Sequence, residues 1–230
     1  MTSDIRQLLT SLQFSDSAFP SGFYTMSHGL EGYSQARLVD PGEVQDLLCS
    51  LLVHTVGPGD ATALAAAHRA AGAGDWDLVE EIDHRLFASK LNAEMRRASV
   101  RSGHQLADLA DVVLGSDALD EYQRRVKARA TPGCQPVVSA LIYSATGVGT
   151  GIAVASDLSA FAVSFVGAAL RLRLADHRQA QVILHAVGPV IEQVAHDAAE
   201  RDVHDLGGFA PMADIMSAQH ERAEARLFAS

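Results

Sequence analysis

From Val137 to Leu174 the chain is more apolar than anywhere else, and its clearest break is the cluster Gly147-Val148-Gly149-Thr150-Gly151. Two helices meeting at that turn fit the stretch. Ala160, Ser164, Gly167 and Ala168 are small enough to let a second helix approach closely. A dinucleotide-binding turn does not fit. The glycines run G-x-G-x-G, Ile152 stands where the third glycine should be, and no alternation of strands and helices surrounds them. A phosphate-binding loop would need Gly-Lys-Ser/Thr, which is absent. Gly151–Leu170 has the length of a membrane span, but Asp157 near its middle and the small residues favour a buried core helix.

The rest of the chain is punctuated in the same helical manner. Ser3–Phe14 reads as a short amphipathic helix. Asp40-Pro41-Gly42-Glu43 combines a capping carboxylate, proline at the first helical position and an acid three residues after the cap. That helix is expected to stop at Gly57-Pro58-Gly59, with Asp60–Ala71 forming the next. Asp75 and Asn92 are placed to cap two more, the second running to Leu114. Helices are further expected over Asp117–Ala130, Asp176–Val187, Pro189–Asp205 and Pro211–Phe228. With no period-2 segment, repeat or linker, the expectation is an all-α fold of roughly ten helices in one compact domain, 1–230. Residues 209–230 form a C-terminal amphipathic tail suited to ordering on a partner.

Composition narrows the function. A formal charge of -10 argues against nucleic acid or an anionic membrane as the main partner. Cys49 and Cys134 form no metal or redox motif and read as buried thiols. Asp4 and Arg6 interrupt the N-terminus before any long apolar run, so a soluble cytoplasmic protein is expected.

The stretch Leu12–Arg37 carries most of the candidate chemistry. It turns through Phe19-Pro20-Ser21-Gly22 and is then expected to continue as a helix. Phe23, Met26, Leu30 and Tyr33 would share its apolar face, with His28, Glu31 and Gln35 opposite. Gly29 and Gly32 inside that helix each cost about 1 kcal/mol relative to Ala, and close approach of another backbone would explain them. For a metal, the best candidates are His196, Glu200 and His204, which with Glu192 follow a four-residue spacing on one helical face and suit nickel or zinc. No H-E-x-x-H and no nucleophile elbow occur, so neither a catalytic residue nor a cofactor site is assigned.

Two terminal motifs then point to a family. Near the start, D-S-x-x-P-S-G is followed by S-H-G-L-E over Ser27–Glu31. At the end, A-P-x-x-D-I-x-S-x-x-H-E and R-L-F-x-S run from Ala210 to Ser230. A third match lies in Gln135–Val138 and Ala168–Leu172. This pattern resembles the UreF family of urease accessory proteins. The resemblance implies an all-α adaptor that forms a homodimer and binds UreD (also called UreH). With it the adaptor recruits the GTPase UreG and modulates it, and the assembly delivers nickel to apo-urease. Placed on this sequence, it nominates Pro20, Ser21, Gly22, His28, Glu31, Asp214, His220, Glu221, Arg226, Leu227 and Phe228 as partner-binding residues. One surface facing UreD is expected from the 211–230 helix and the Pro20–Gly22 turn. Two other readings are a carrier holding nickel on the 192–204 face and a helical small-molecule-binding protein.

Overall fold

The computed structural model describes residues 2–229, with side chains from Asp4 to Ala229. Among these residues there is no strand, and the chain is all-α. Its centre is α8 (Gln135–Ala145), in which every residue from Gln135 to Tyr143 is buried. A helix apolar all round can only sit inside other helices. Here α4 (Thr62–Ala73) lies on one side of it and α6 (Ala93–Leu114) on another. Ala63, Ala65, Ala66 and Ala67 make α4 thin enough to lie close, and all four are buried. The second half of the apolar stretch is α9 (Thr150–Arg171), against which α1 (Thr2–Ser15), α10 (His177–Ala186) and α11 (Gly188–Glu200) pack. The remaining helices are α2 (Leu30–Gln35), α3 (Val44–Leu51), α5 (Trp76–Ser89), α7 (Asp117–Lys127) and α12 (Pro211–His220).

Helix starts follow local chemistry. Asp75 accepts from the Leu78 amide at 3.1 Å and Asn92 from the Met95 amide at 2.8 Å. Asp40 with Glu43 and Asp176 with Gln179 each complete a capping box. The two rods with the length and apolarity of a membrane span, Pro41–Ala73 and Thr150–Arg171, each bury 56% of their most apolar window in the protein. That is the pattern of core helices.

One buried carboxylate fastens the middle of the chain. Asp83 on α5 accepts bonds from Tyr122 Oη at 2.6 Å, Thr131 Oγ1, the Gly133 amide at 2.7 Å and the Cys134 amide at 3.0 Å. It thereby ties α5 and α7 to the loop that enters α8. Burial and this negative neighbour push both Tyr122 and Cys134 well above their ordinary pKa values.

Four expectations need correction. Gly57-Pro58-Gly59 does not stop the helix. Leu52–Ala61 widens into a π-helical segment that accommodates Pro58 and joins α3 to α4. Gly57 is needed there because a Cβ would lie 2.7 Å from Val194 on α11. The helix expected from Phe23 is also two pieces. A 3-10 turn at Phe23–Thr25 is separated from α2 by left-handed His28 (φ 54) and Gly29 (φ 87). The helix expected over Pro189–Asp205 ends at Glu200. Finally, the tail is helical only to His220, and its last residues run as irregular chain.

Candidate functional site

The tail crosses the protein and returns to the segment where the chain's first motif lies. Its helix α12 packs on α2 so closely that a Cβ on Gly32 would stand 2.5 Å from the Met216 carbonyl oxygen. This is the backbone approach that the glycine foreshadowed. Gly29 has a different reason, its left-handed backbone, and nothing crowds it.

At the end of α12 and after it, the chain is held by a largely buried polar cluster. His220, only 1% exposed, sits between Glu31 of α2 and Glu94 of α6. Its Nε2 is 2.7 Å from Glu31 Oε2 and its Nδ1 is 3.0 Å from Glu94 Oε2. Arg226 donates to the other oxygen of Glu94 at 2.9 Å. Glu31 also accepts the amides of Leu227 at 2.8 Å and Phe228 at 3.0 Å. Two carboxylates, an imidazole and a guanidinium thus join α2, α6 and both parts of the tail. Glu31 therefore does not lie on a solvent-facing polar side of a helix, as its spacing suggested. It is 4% exposed.

The two ends of the tail are pinned as well. At its start, the amides of Gly207 and Phe209 donate to Pro58 and His54 carbonyls of the π-helical segment, each at 3.0 Å. Gly208 permits this, since a Cβ there would meet the His54 and Thr55 backbone at 2.6–2.8 Å. At its end, the Ala229 amide donates to Thr25 at 2.8 Å. The Arg171 guanidinium stands 4.3 Å from both the Tyr24 and the Phe228 ring centroids and donates to the Tyr24 carbonyl.

The nominated residues divide accordingly. Glu31, His220, Arg226, Leu227 and Phe228 meet in the charged cluster or beside it. Glu221 pairs with Arg97 at 2.7 Å on the rim. Asp214 is half-buried on α12, and burial raises its pKa. His28 stands apart, with its ring against Phe23 and Phe161 and its Nε2 2.8 Å from Ser164 Oγ. The Ser164 hydroxyl is given to the Phe23 carbonyl, so Nε2 of His28 is the donor. Burial, with Lys90 and Arg171 nearby, pushes its pKa down to about 3, and the ring is neutral. The Pro20–Gly22 turn is held on α6, where Gln105 donates to the Pro20 carbonyl. The tail meets the next residues, Tyr24 and Thr25, rather than the turn. Ser230 lies outside the described residues.

Under the tail is a cavity of about 120 Å³ lined in part by His28, Asp60, Lys90, Asp157 and Asp214. Asp60 and Lys90 pair there at 2.7 Å. Asp157 accepts from Gln135 and Ser139, yet burial still pushes its pKa up to about 6. His196 and Glu200 are exposed near the end of α11, and His204 lies beyond the helix in a separate 3-10 turn. The single helical face on which that metal set was built is therefore absent, and no metal-holding group of three is present among the described residues.

Sequence reasoning missed Glu94, Arg171 and Gly208. Glu94 looks like an ordinary acid in a first helical turn. Arg171 was inside a recognised motif, and Gly208 was seen only as a break.

The UreF family profile matches residues 38–188. Urease accessory protein UreF 2 of Brucella canis is 33% identical over 96% of this chain and 91% of its own length. Urease accessory protein UreF of Photorhabdus laumondii is 30% identical over 97% of this chain and 98% of its own, and that of Yersinia pseudotuberculosis is similar at 30%. Glu31, His220 and Arg226 lie outside the span matched by the profile. With the fold all-α and the likeness running over nearly the whole length, the chain belongs to the UreF family of urease accessory proteins.

Proposed function

We propose that this protein is a non-catalytic adaptor for nickel insertion into apo-urease, working in the cytoplasm with UreD (UreH) and the GTPase UreG and modulating that GTPase. The observation that supports this is the docked tail. Its backbone is tied down by the Glu31 and Glu94 cluster, while Phe209 (77% exposed), Met212, Ile215 and Leu227 (65%) are exposed, as is Tyr24. Large apolar groups held on an ordered frame are the anchors a protein interface needs, because the frame has already lost the conformational entropy that binding would cost. Tyr24, Leu227 and the outward face of α12 are then the surface for UreD, and Glu31, His220 and Arg226 shape it from beneath. The homodimer forms through α1, where Ile5, Leu8, Leu9 and Leu12 are exposed at helical spacing.

The test is pull-down of purified UreD and UreG by the full chain and by a Leu227→Asp variant, followed by urease activation. The full chain should hold both partners, and the variant should lose UreD. Undiminished UreD binding by the variant would remove the tail from the interface. A Leu8→Asp, Leu12→Asp variant should run as a monomer by light scattering, and a persisting dimer would place the dimer face elsewhere.

A further inference from the structure

We propose that docking of the tail takes up a proton, so that the tail is a pH-sensitive latch in which His220 is held as an imidazolium. The inference rests on this chain's own geometry and stands whether or not the adaptor reading holds.

Both ring nitrogens of His220 face carboxylate oxygens, at 2.7 and 3.0 Å. Ionised carboxylates only accept, so each nitrogen must carry a hydrogen for both contacts to be bonds. A neutral imidazole has one N–H, and its other nitrogen would point a lone pair at a buried carboxylate. The charges facing the ring from every surrounding element agree. Helix α2 contributes Glu31, α6 contributes Glu94, and the tail contributes Arg226, while Glu221 is paired outward with Arg97. With His220 charged the cluster is neutral. Without that proton it carries one uncompensated negative charge shared by Glu31 and Glu94, which are 4% and 3% exposed, and that is costly.

In the released tail the same imidazole is in water and has no carboxylate held against either nitrogen. Docking therefore binds a proton wherever the released imidazole is neutral, and the docked population falls as pH rises, by up to about tenfold per pH unit for one linked proton. Its amide anchors at Leu227 and Phe228 depend on Glu31 staying in place, so the tail end is released together with the ring.

The test uses the full-length protein alone. Ring nitrogen NMR of His220 should show both nitrogens protonated near neutral pH. Trypsin cleavage after Arg222 and Arg226, normalised to a free peptide of residues 209–230, should accelerate between about pH 6.5 and 8.5. In Glu94→Gln, the amide oxygen or nitrogen can meet a neutral ring, so cleavage should vary by less than about twofold over the same range. A singly protonated His220 ring in the docked protein would overturn the proposal. So would a wild-type cleavage rate that does not change with pH. If Glu94→Gln fails to fold, these two wild-type measurements decide the matter.

Discussion

Replacing Glu31 by alanine should free the tail without unfolding the protein. The carboxylate accepts from His220 Nε2 at 2.7 Å and from the Leu227 and Phe228 amides at 2.8 and 3.0 Å. Hydrogen bonds to a charged group contribute about 1.5–3 kcal/mol each, and breaking a buried ion pair by removing one partner costs about 3–5 kcal/mol. These values overlap rather than add, because a tail that swings out regains water for its orphaned donors. The expected loss is thus about 3–5 kcal/mol of docking free energy, or roughly two to three and a half decades in the docking constant. The loss should stay local. Of the described tail residues, only Met216 and Phe228 belong to the buried apolar core, which is centred on α8. Hydrogen exchange followed by mass spectrometry reads both regions at once. Peptides within 209–229 should lose protection in Glu31→Ala, while those of α8 keep theirs. Tail protection within about twofold of wild type would refute the latch. Equal loss in the tail and in α8 would refute its local character.

Asp157→Asn should stabilise the protein at neutral pH. Burial holds this carboxyl near a pKa of about 6, above the ordinary value of about 3.9, so the folded state binds its proton more tightly than the unfolded state. That contribution is complete below about pH 4 and is lost as pH rises through about 6, which amounts to about 2–3 kcal/mol by pH 7. Asparagine keeps an acceptor for Gln135 and Ser139, so urea denaturation should show a gain of about that size at pH 7.5 and little at pH 4. No gain at the higher pH would contradict it. Asp83→Ala, in contrast to Glu31→Ala, should destabilise the whole protein by at least about 4 kcal/mol, since four buried donors lose one acceptor. A loss under about 1 kcal/mol in denaturant titration would be inconsistent with that role. Gly32→Ala should expose the tail to trypsin as Glu31→Ala does, because its Cβ needs the space held by the Met216 carbonyl. Wild-type resistance would show that α12 can shift without cost.

What could be read from the sequence is what local chemistry decides. The capping groups Asp75 and Asn92 start helices where their side chains reach the third amide, and the apolar run from Val137 becomes the two innermost helices. The failures share a cause in partners far along the chain. Pro58 looked like a stop because a proline brings no N–H to a helix. The π-helical widening absorbs it, and carbonyls beside it bond to amides about 150 residues later, at Gly207 and Phe209. Glu31 was given to a polar face because its neighbours in sequence put it there. Its partners in the cluster, the His220 imidazole and the amides of Leu227 and Phe228, lie 189, 196 and 197 residues away. The terminal motifs contained Glu31, His220 and Arg226 but not Glu94, and only the fold shows that these four meet one another. Gly32 was the one local sign, a helical glycine with no local purpose.

The adaptor account makes the tail the element through which partners are held. The most direct measurement is co-purification of UreD and UreG with the full-length chain and with a chain truncated after Gly208, with circular dichroism to confirm that the truncated form keeps its helices. The account predicts a stable complex for the full chain that the truncation abolishes. A truncated chain that folds and still retains both partners would contradict it.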